Sequence, residues 1–143
     1  MNQKEFIYHI KDIKSIGIIV AARLKCIKAL FLFGNIGVGK TTLVKHIIKA
    51  LGGNQEEVTS PTFSLQHIYH IKNRTVYHVD LYRVQLIQEL YHLGFEEILN
   101  GELLIVEWGE FLIKYMHREY LRLDIKSSTN VSKRKITLNH FKP

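Results

Sequence analysis

Residues 34–41 read GNIGVGKT, a G-x-x-x-x-G-K-T octet, and no other segment limits the possible fold so tightly. Such an octet works only directly after a strand and at the first turn of a helix. Both flanks comply. Ala29-Leu30-Phe31-Leu32-Phe33 is a continuous apolar run, the pattern of a strand buried on both faces. Beyond the octet, Leu43, Val44, Ile47, Ile48 and Leu51 recur at helical spacing, and Gly52-Gly53 offers a stop. Glycines let successive backbone N–H groups converge on an anion. The stretch Asn35-Ile36-Gly37-Val38-Gly39-Lys40-Thr41-Thr42 is therefore expected to wrap a nucleoside triphosphate. Lys40 would reach the β- and γ-phosphates, and Thr41 would place its hydroxyl on Mg²⁺.

The remaining pattern sets the fold class. A short strand is expected at 6–10, and a helix at 12–25 with Ile13, Ile16, Val20 and Leu24 on one face. Residues 54–62 read as loop. Strands at 63–71 and 75–81 flank Lys72-Asn73-Arg74 as a hairpin. Residues 84–99 read as short helix broken near Gly94, 103–106 as a second all-apolar strand, and 109–117 as helix. A second hairpin pairs 120–126 with 135–141. Apolar strands suit a parallel centre and alternating ones suit antiparallel pairs. The expectation is one α/β P-loop NTPase domain spanning 1–143, with a mixed sheet, a parallel core around 29–33 and 103–106, flanking helices and antiparallel hairpins.

Hydrolysis or transfer also needs an acid near the metal, at the carboxyl end of a neighbouring strand. Glu107 follows Leu103-Leu104-Ile105-Val106 and is the favoured acid on Mg²⁺, directly or through a water. Asp80 ends Val76-Tyr77-His78-Val79, an apolar run that His78 interrupts, and is the second acid, orienting the attacking or a metal-bound water. The two roles could be exchanged. Thr62 follows Pro61, which holds Ser60 extended, and is a candidate γ-phosphate sensor. Trp108 comes one residue after Glu107. Strand alternation would turn it to the opposite face, into the core.

Composition narrows the setting. The net charge of +7 permits acidic partners such as RNA, although a triphosphate site needs positive potential anyway. Lys133-Arg134-Lys135 reads as a solvated strand end. No run reaches the ~18 apolar residues of a membrane span. Residues 16–22 faintly imitate a signal-peptide core but follow a charged stretch and lead into the P-loop strand, so a cytoplasmic location is expected. Cys26 is the single cysteine and reads as a small buried hydrophobe. His67 and His70 lie three apart on a strand and face opposite sides.

Four segments in order resemble the TsaE (YjeE) family, the small ATPase of bacterial tRNA threonylcarbamoyladenosine biosynthesis. They are GNIGVGKTT at 34–42, SPTF at 60–63, YHVDLYR at 77–83 and VEW at 106–108. The resemblance implies ATP or ADP at the P-loop, Mg²⁺ on Thr41 and Glu107, and Asp80 supporting hydrolysis. It further implies that residues 60–62 act as a nucleotide-sensitive switch and that Trp108 lies beside the site. It implies an accessory ATPase for a TsaB–TsaD-type pair, reaching tRNA through that pair. The chain departs from the family pattern at Asn35-Ile36, where Asp-Leu is usual, and at Gly109, where Pro is usual.

Two other functions fit parts of the sequence. A small P-loop kinase would need an acceptor pocket and an arginine-bearing lid, yet Arg83 and Arg118 are scattered. A nucleotide-dependent RNA-binding module would need a basic and aromatic motif, and none is visible.

Overall fold

The computed structural model describes residues 3–143. Its elements run β1 (Lys4–His9), α1 (Ile13–Arg23), β2 (Ala29–Phe33), α2 (Lys40–Ala50), β3 (Gln66–Ile71) and β4 (Arg74–Asp80). Then come α3 (Gln88–Tyr91), α4 (Phe95–Asn100), β5 (Leu103–Glu107), a 3₁₀ turn at Glu110–Tyr115, β6 (Tyr120–Ser127) and β7 (Lys133–Phe141). The seven strands form one sheet in the order β1-β7-β6-β2-β5-β4-β3. Its centre is parallel: β6 with β2, β2 with β5, and β5 with β4. Antiparallel pairs flank it, β6–β7–β1 on one side and β4–β3 on the other.

The apolar run of β2 explains why helices cover both faces. Alternation sends Leu30 and Leu32 to one side, into a core shared with Val20 of α1, Leu24 just past its end, and Leu43 and Ile47 of α2. It sends Ala29, Phe31 and Phe33 to the other, against Leu90, Phe95, Ile98 and Leu112. β5 is shared in the same way, with Leu103 and Ile105 on the first face and Leu104 and Val106 on the second.

Several expectations shift. The strand expected from residue 63 starts at Gln66, because Leu65 takes a left-handed φ of 64° and the chain before it turns. The helix expected at 84–99 begins only at Gln88, and it breaks where expected, at Gly94 with φ 73°, into α3 and α4. The helix expected over 109–117 is a 3₁₀ stretch confined to Glu110–Tyr115. Cys26 is exposed, because it lies past the last turn of α1 in the connection to β2. No helix among the described residues is long and apolar enough to cross a membrane.

Candidate functional site

The site lies where the carboxyl ends of β2, β4 and β5 meet the start of α2. The register sets Asp80 opposite Glu107 at the last paired position of β4 and β5. These two acids therefore sit side by side at the ligand edge of the parallel sheet. Both are buried, Asp80 at 3 % and Glu107 at 2 % exposure. Between them and the P-loop is a cavity of about 300 Å³.

Gly39 caps α2 with φ 113°, a left-handed value at which a side chain would be strained, and a Cβ there would point into open space. No side chain caps this helix end, and Leu43 N is the first to bond back, to Gly39 O. The N–H groups ahead of it stay available to an anion. Lys40 is buried. Its Nζ donates to Gly34 O at 2.6 Å and Asn35 O at 3.2 Å, and sits 4.5 Å above the Trp108 ring. Burial pushes the Lys40 ammonium below its ordinary pKa, and Glu107, Asp80 and Glu110 pull it back up.

The acids are held differently. Glu107 Oε1 accepts from Thr41 Oγ1 at 3.2 Å and from His78 Nε2 at 2.8 Å. Asp80 Oδ2 accepts from Thr62 Oγ1 at 2.8 Å and from Ser60 Oγ at 3.4 Å, while Oδ1 accepts from Tyr82 N at 2.9 Å. Ser60 and Thr62 hydroxyls also lie 2.7 Å apart. The loop from 59 is fastened further back as well, since His67 Nδ1 lies within 3.3 Å of both Thr59 Oγ1 and Thr59 O.

The cavity brings together Ile36, Gly37, Gly39, Lys40, Thr41, Thr42, Thr62, Asp80, Glu107 and Trp108. Asn35 and Val38 do not line it. Asn35 offers its carbonyl to Lys40 behind the loop, and Val38 is buried beside Tyr8 and Ile13 in an adjacent hollow of about 420 Å³. For Trp108 the strand-alternation expectation fails, while the indole lines the cavity, beside the site as the family resemblance implies. β5 ends at Glu107, and Trp108 takes φ 58°, so strand alternation no longer applies. The reversal swings the indole into the cavity, 5.0 Å from the Tyr82 ring. Gly109 permits this turn: a Cβ there would come within 2.5 Å of Val106 and 2.8 Å of Phe31.

Sequence reasoning settled no individual role for several contributors. His78 is not an interruption but a fully buried partner of Glu107, and its spacing of two from Asp80 was the available signal. Arg134 is not merely a solvated strand end, because its Nε donates to Val38 O of the P-loop at 3.2 Å. Tyr82 also lines the cavity, beside Ser60 of the expected switch segment.

Comparison with known proteins agrees with this architecture. The family profile described as “Threonylcarbamoyl adenosine biosynthesis protein TsaE” matches residues 7–136. The tRNA threonylcarbamoyladenosine biosynthesis protein TsaE of Rickettsia typhi is 37 % identical over 120 residues, covering 84 % of this chain and 83 % of that protein. The protein of the same name from Bacillus subtilis is 33 % identical over 117 residues, 81 % of this chain and 72 % of the relative. The crystal structure of Bacillus subtilis YdiB superposes with a TM-score of 0.72 at 26 % identity, covering 99 % of this chain and 87 % of that one. On this breadth of match, and with a P-loop fold that carries the family's motifs to one sheet edge, the chain belongs to the TsaE family.

Proposed function

We propose that this protein is an Mg²⁺-dependent ATPase that serves tRNA N6-threonylcarbamoyladenosine formation by cycling a TsaB–TsaD-type complex. One observation carries the catalytic part: Thr41 of the P-loop is hydrogen-bonded to Glu107 at 3.2 Å, with Asp80 paired beside Glu107 across the sheet. The donor set fits magnesium. It consists of hard oxygens, a hydroxyl and a carboxylate, and no cluster of three or more His, Cys, Asp or Glu exists among the described residues. Magnesium keeps waters and phosphate oxygens as its other ligands. Thr41 and Glu107 would hold it, and when bound it neutralises charge developing on the β- and γ-phosphates.

The chain's own groups do the rest. The amides at the start of α2 and Lys40 bind the phosphates. Asp80 orients the attacking water and accepts its proton. Thr62, bonded to Asp80, stands where a γ-phosphate would be sensed. Trp108 and Tyr82 form the wall that excludes water. The hollow beside Tyr8, Ile13 and Arg134 is the place for the base.

No arginine lines the cavity among the described residues. Arg83 lies on the Phe63 ring at 4.3 Å, and Arg118 donates to Gly101 O. An arginine supplied in trans raises phosphoryl-transfer rates by about 10³–10⁵. Slow hydrolysis alone and stimulation by partners follow. The same observation weighs against a small-molecule kinase, whose lid arginines would have to reach these phosphates.

The test is ATP hydrolysis by the purified chain, alone and with a TsaB–TsaD pair, with Glu107→Ala as control. Stimulation lost in the variant supports the reading. Fast hydrolysis by the isolated chain, unaffected by the pair, would overturn the accessory role.

A further inference from the structure

A buried chain of hydrogen bonds crosses three strands behind the cavity. It starts at Tyr69 on β3, passes through His78 on β4 and ends at Glu107 on β5. The Tyr69 hydroxyl lies 3.1 Å from His78 Nδ1, and His78 Nε2 lies 2.8 Å from Glu107 Oε1. His78 is completely shielded from solvent, and Tyr69 is 5 % exposed. Neither Tyr69 nor His78 is demanded by the P-loop pattern.

The proton positions follow from the partners. A carboxylate only accepts, so Nε2 carries the hydrogen. In the neutral ring Nδ1 is then the acceptor, and the phenol donates to it. The phenol is well suited to that, since burial raises the Tyr69 pKa to about 12. Each member thus fixes the next, as in the arrangements that hold the ligands of metal sites. Glu107 Oε1 is occupied by His78 and Thr41, whereas Oε2 makes no hydrogen bond to any described residue, and Glu107 lines the cavity.

We propose that His78 and Tyr69 are positioning residues. His78 holds Glu107 by Oε1 so that Oε2 faces the magnesium nucleotide, and Tyr69 locks His78 in the tautomer that can do so. The inference rests on the reading above in which Glu107 serves the metal. A carboxylate's terminal torsion is broad and weakly restrained by itself. Without His78, Glu107 would rotate about that torsion and present either oxygen, or neither, to the metal.

The test uses the full chain with ADP as probe, its affinity read from Trp108 fluorescence in magnesium and in EDTA. The expected result is that His78→Leu loses about tenfold or more of the magnesium-dependent gain in affinity, the usual effect of removing such a support. Affinity in EDTA should stay within about twofold of the unmodified chain, because the P-loop amides are untouched. His78→Gln, which keeps a donor near the Nε2 position, should recover most of the gain. ¹⁵N chemical shifts should show the Nε2–H tautomer of His78, mixed with the other tautomer in Tyr69→Phe. If His78→Leu lowers thermal stability while the folded protein keeps the full magnesium gain, the inference is overturned and the chain is only structural. An Nδ1–H tautomer in the unmodified chain overturns it equally. Absence of any magnesium gain in the unmodified chain would instead overturn the metal role of Glu107, and this inference with it.

Discussion

Thr62 Oγ1 donates to Asp80 Oδ2 at 2.8 Å, so the loop that carries Ser60-Pro61-Thr62 is latched to the second acid of the sheet edge. A γ-phosphate recruiting the Thr62 hydroxyl would compete with that bond. Asp80→Asn keeps the shape but removes the proton acceptor. It should lower ATP turnover by about 10²-fold or more, within the range for a lost acid–base group. ADP affinity should change only a few-fold. Steady-state hydrolysis and equilibrium binding check both, and a variant that turns over normally would remove Asp80 from the mechanism.

Trp108 is the sole tryptophan and lies 4.5 Å below Lys40 Nζ. Phosphate binding must draw Lys40 from the Gly34 and Asn35 carbonyls toward the anion. Indole emission should therefore change on adding ATP or ADP, with saturation at the binding constant. Lys40→Ala should weaken binding by about 10–100-fold, the cost of a charge-assisted bond. A flat fluorescence titration together with normal binding by calorimetry would contradict the position given to Trp108.

Gly109 stands where family members usually carry proline, yet a Cβ here meets Val106 and Phe31 at 2.5 Å and 2.8 Å. Gly109→Ala should destabilise the fold by about 1–3 kcal/mol through overpacking. A melting scan should show a drop of several degrees. An unchanged melting temperature would mean that the second face of the sheet yields more readily than its packing implies.

Tyr69 gives a prediction at alkaline pH. Its folded pKa of about 12 exceeds the ordinary 10.0. Above the ordinary value the unfolded chain loses this proton first, so the folded state binds more protons and stability falls as pH rises. The contribution is complete below the unfolded pKa and disappears as pH climbs through the folded one. Phenolate absorbance should contain a late-titrating tyrosine that Tyr69→Phe removes. The variant's unfolding free energy should also fall less steeply over this window than that of the unmodified chain.

What the sequence made legible was local. The P-loop, the apolar runs of β2 and β5 and the break at Gly94 each announce themselves within a few residues, and Asp80 and Glu107 follow from strand ends. What it hid depends on register or on unusual backbone. The bond from His78 to Glu107 spans 29 positions and exists only because β4 lies beside β5. Arg134 reaches the P-loop across 96 positions. Strand alternation misleads for Trp108, which the family resemblance sets beside the site, because a left-handed φ at a non-glycine residue is rare. Leu65 shortens β3 for the same reason.

The sheet order also bears on how the protein is made. β1 pairs only with β7, Lys4 opposite Leu138 and His9 opposite Lys133. β1 must therefore wait for a strand far downstream of it before it finds its hydrogen bonds. Contacts so distant in sequence slow folding. Until β7 arrives, both edges of β1 are unpaired and open to other strands.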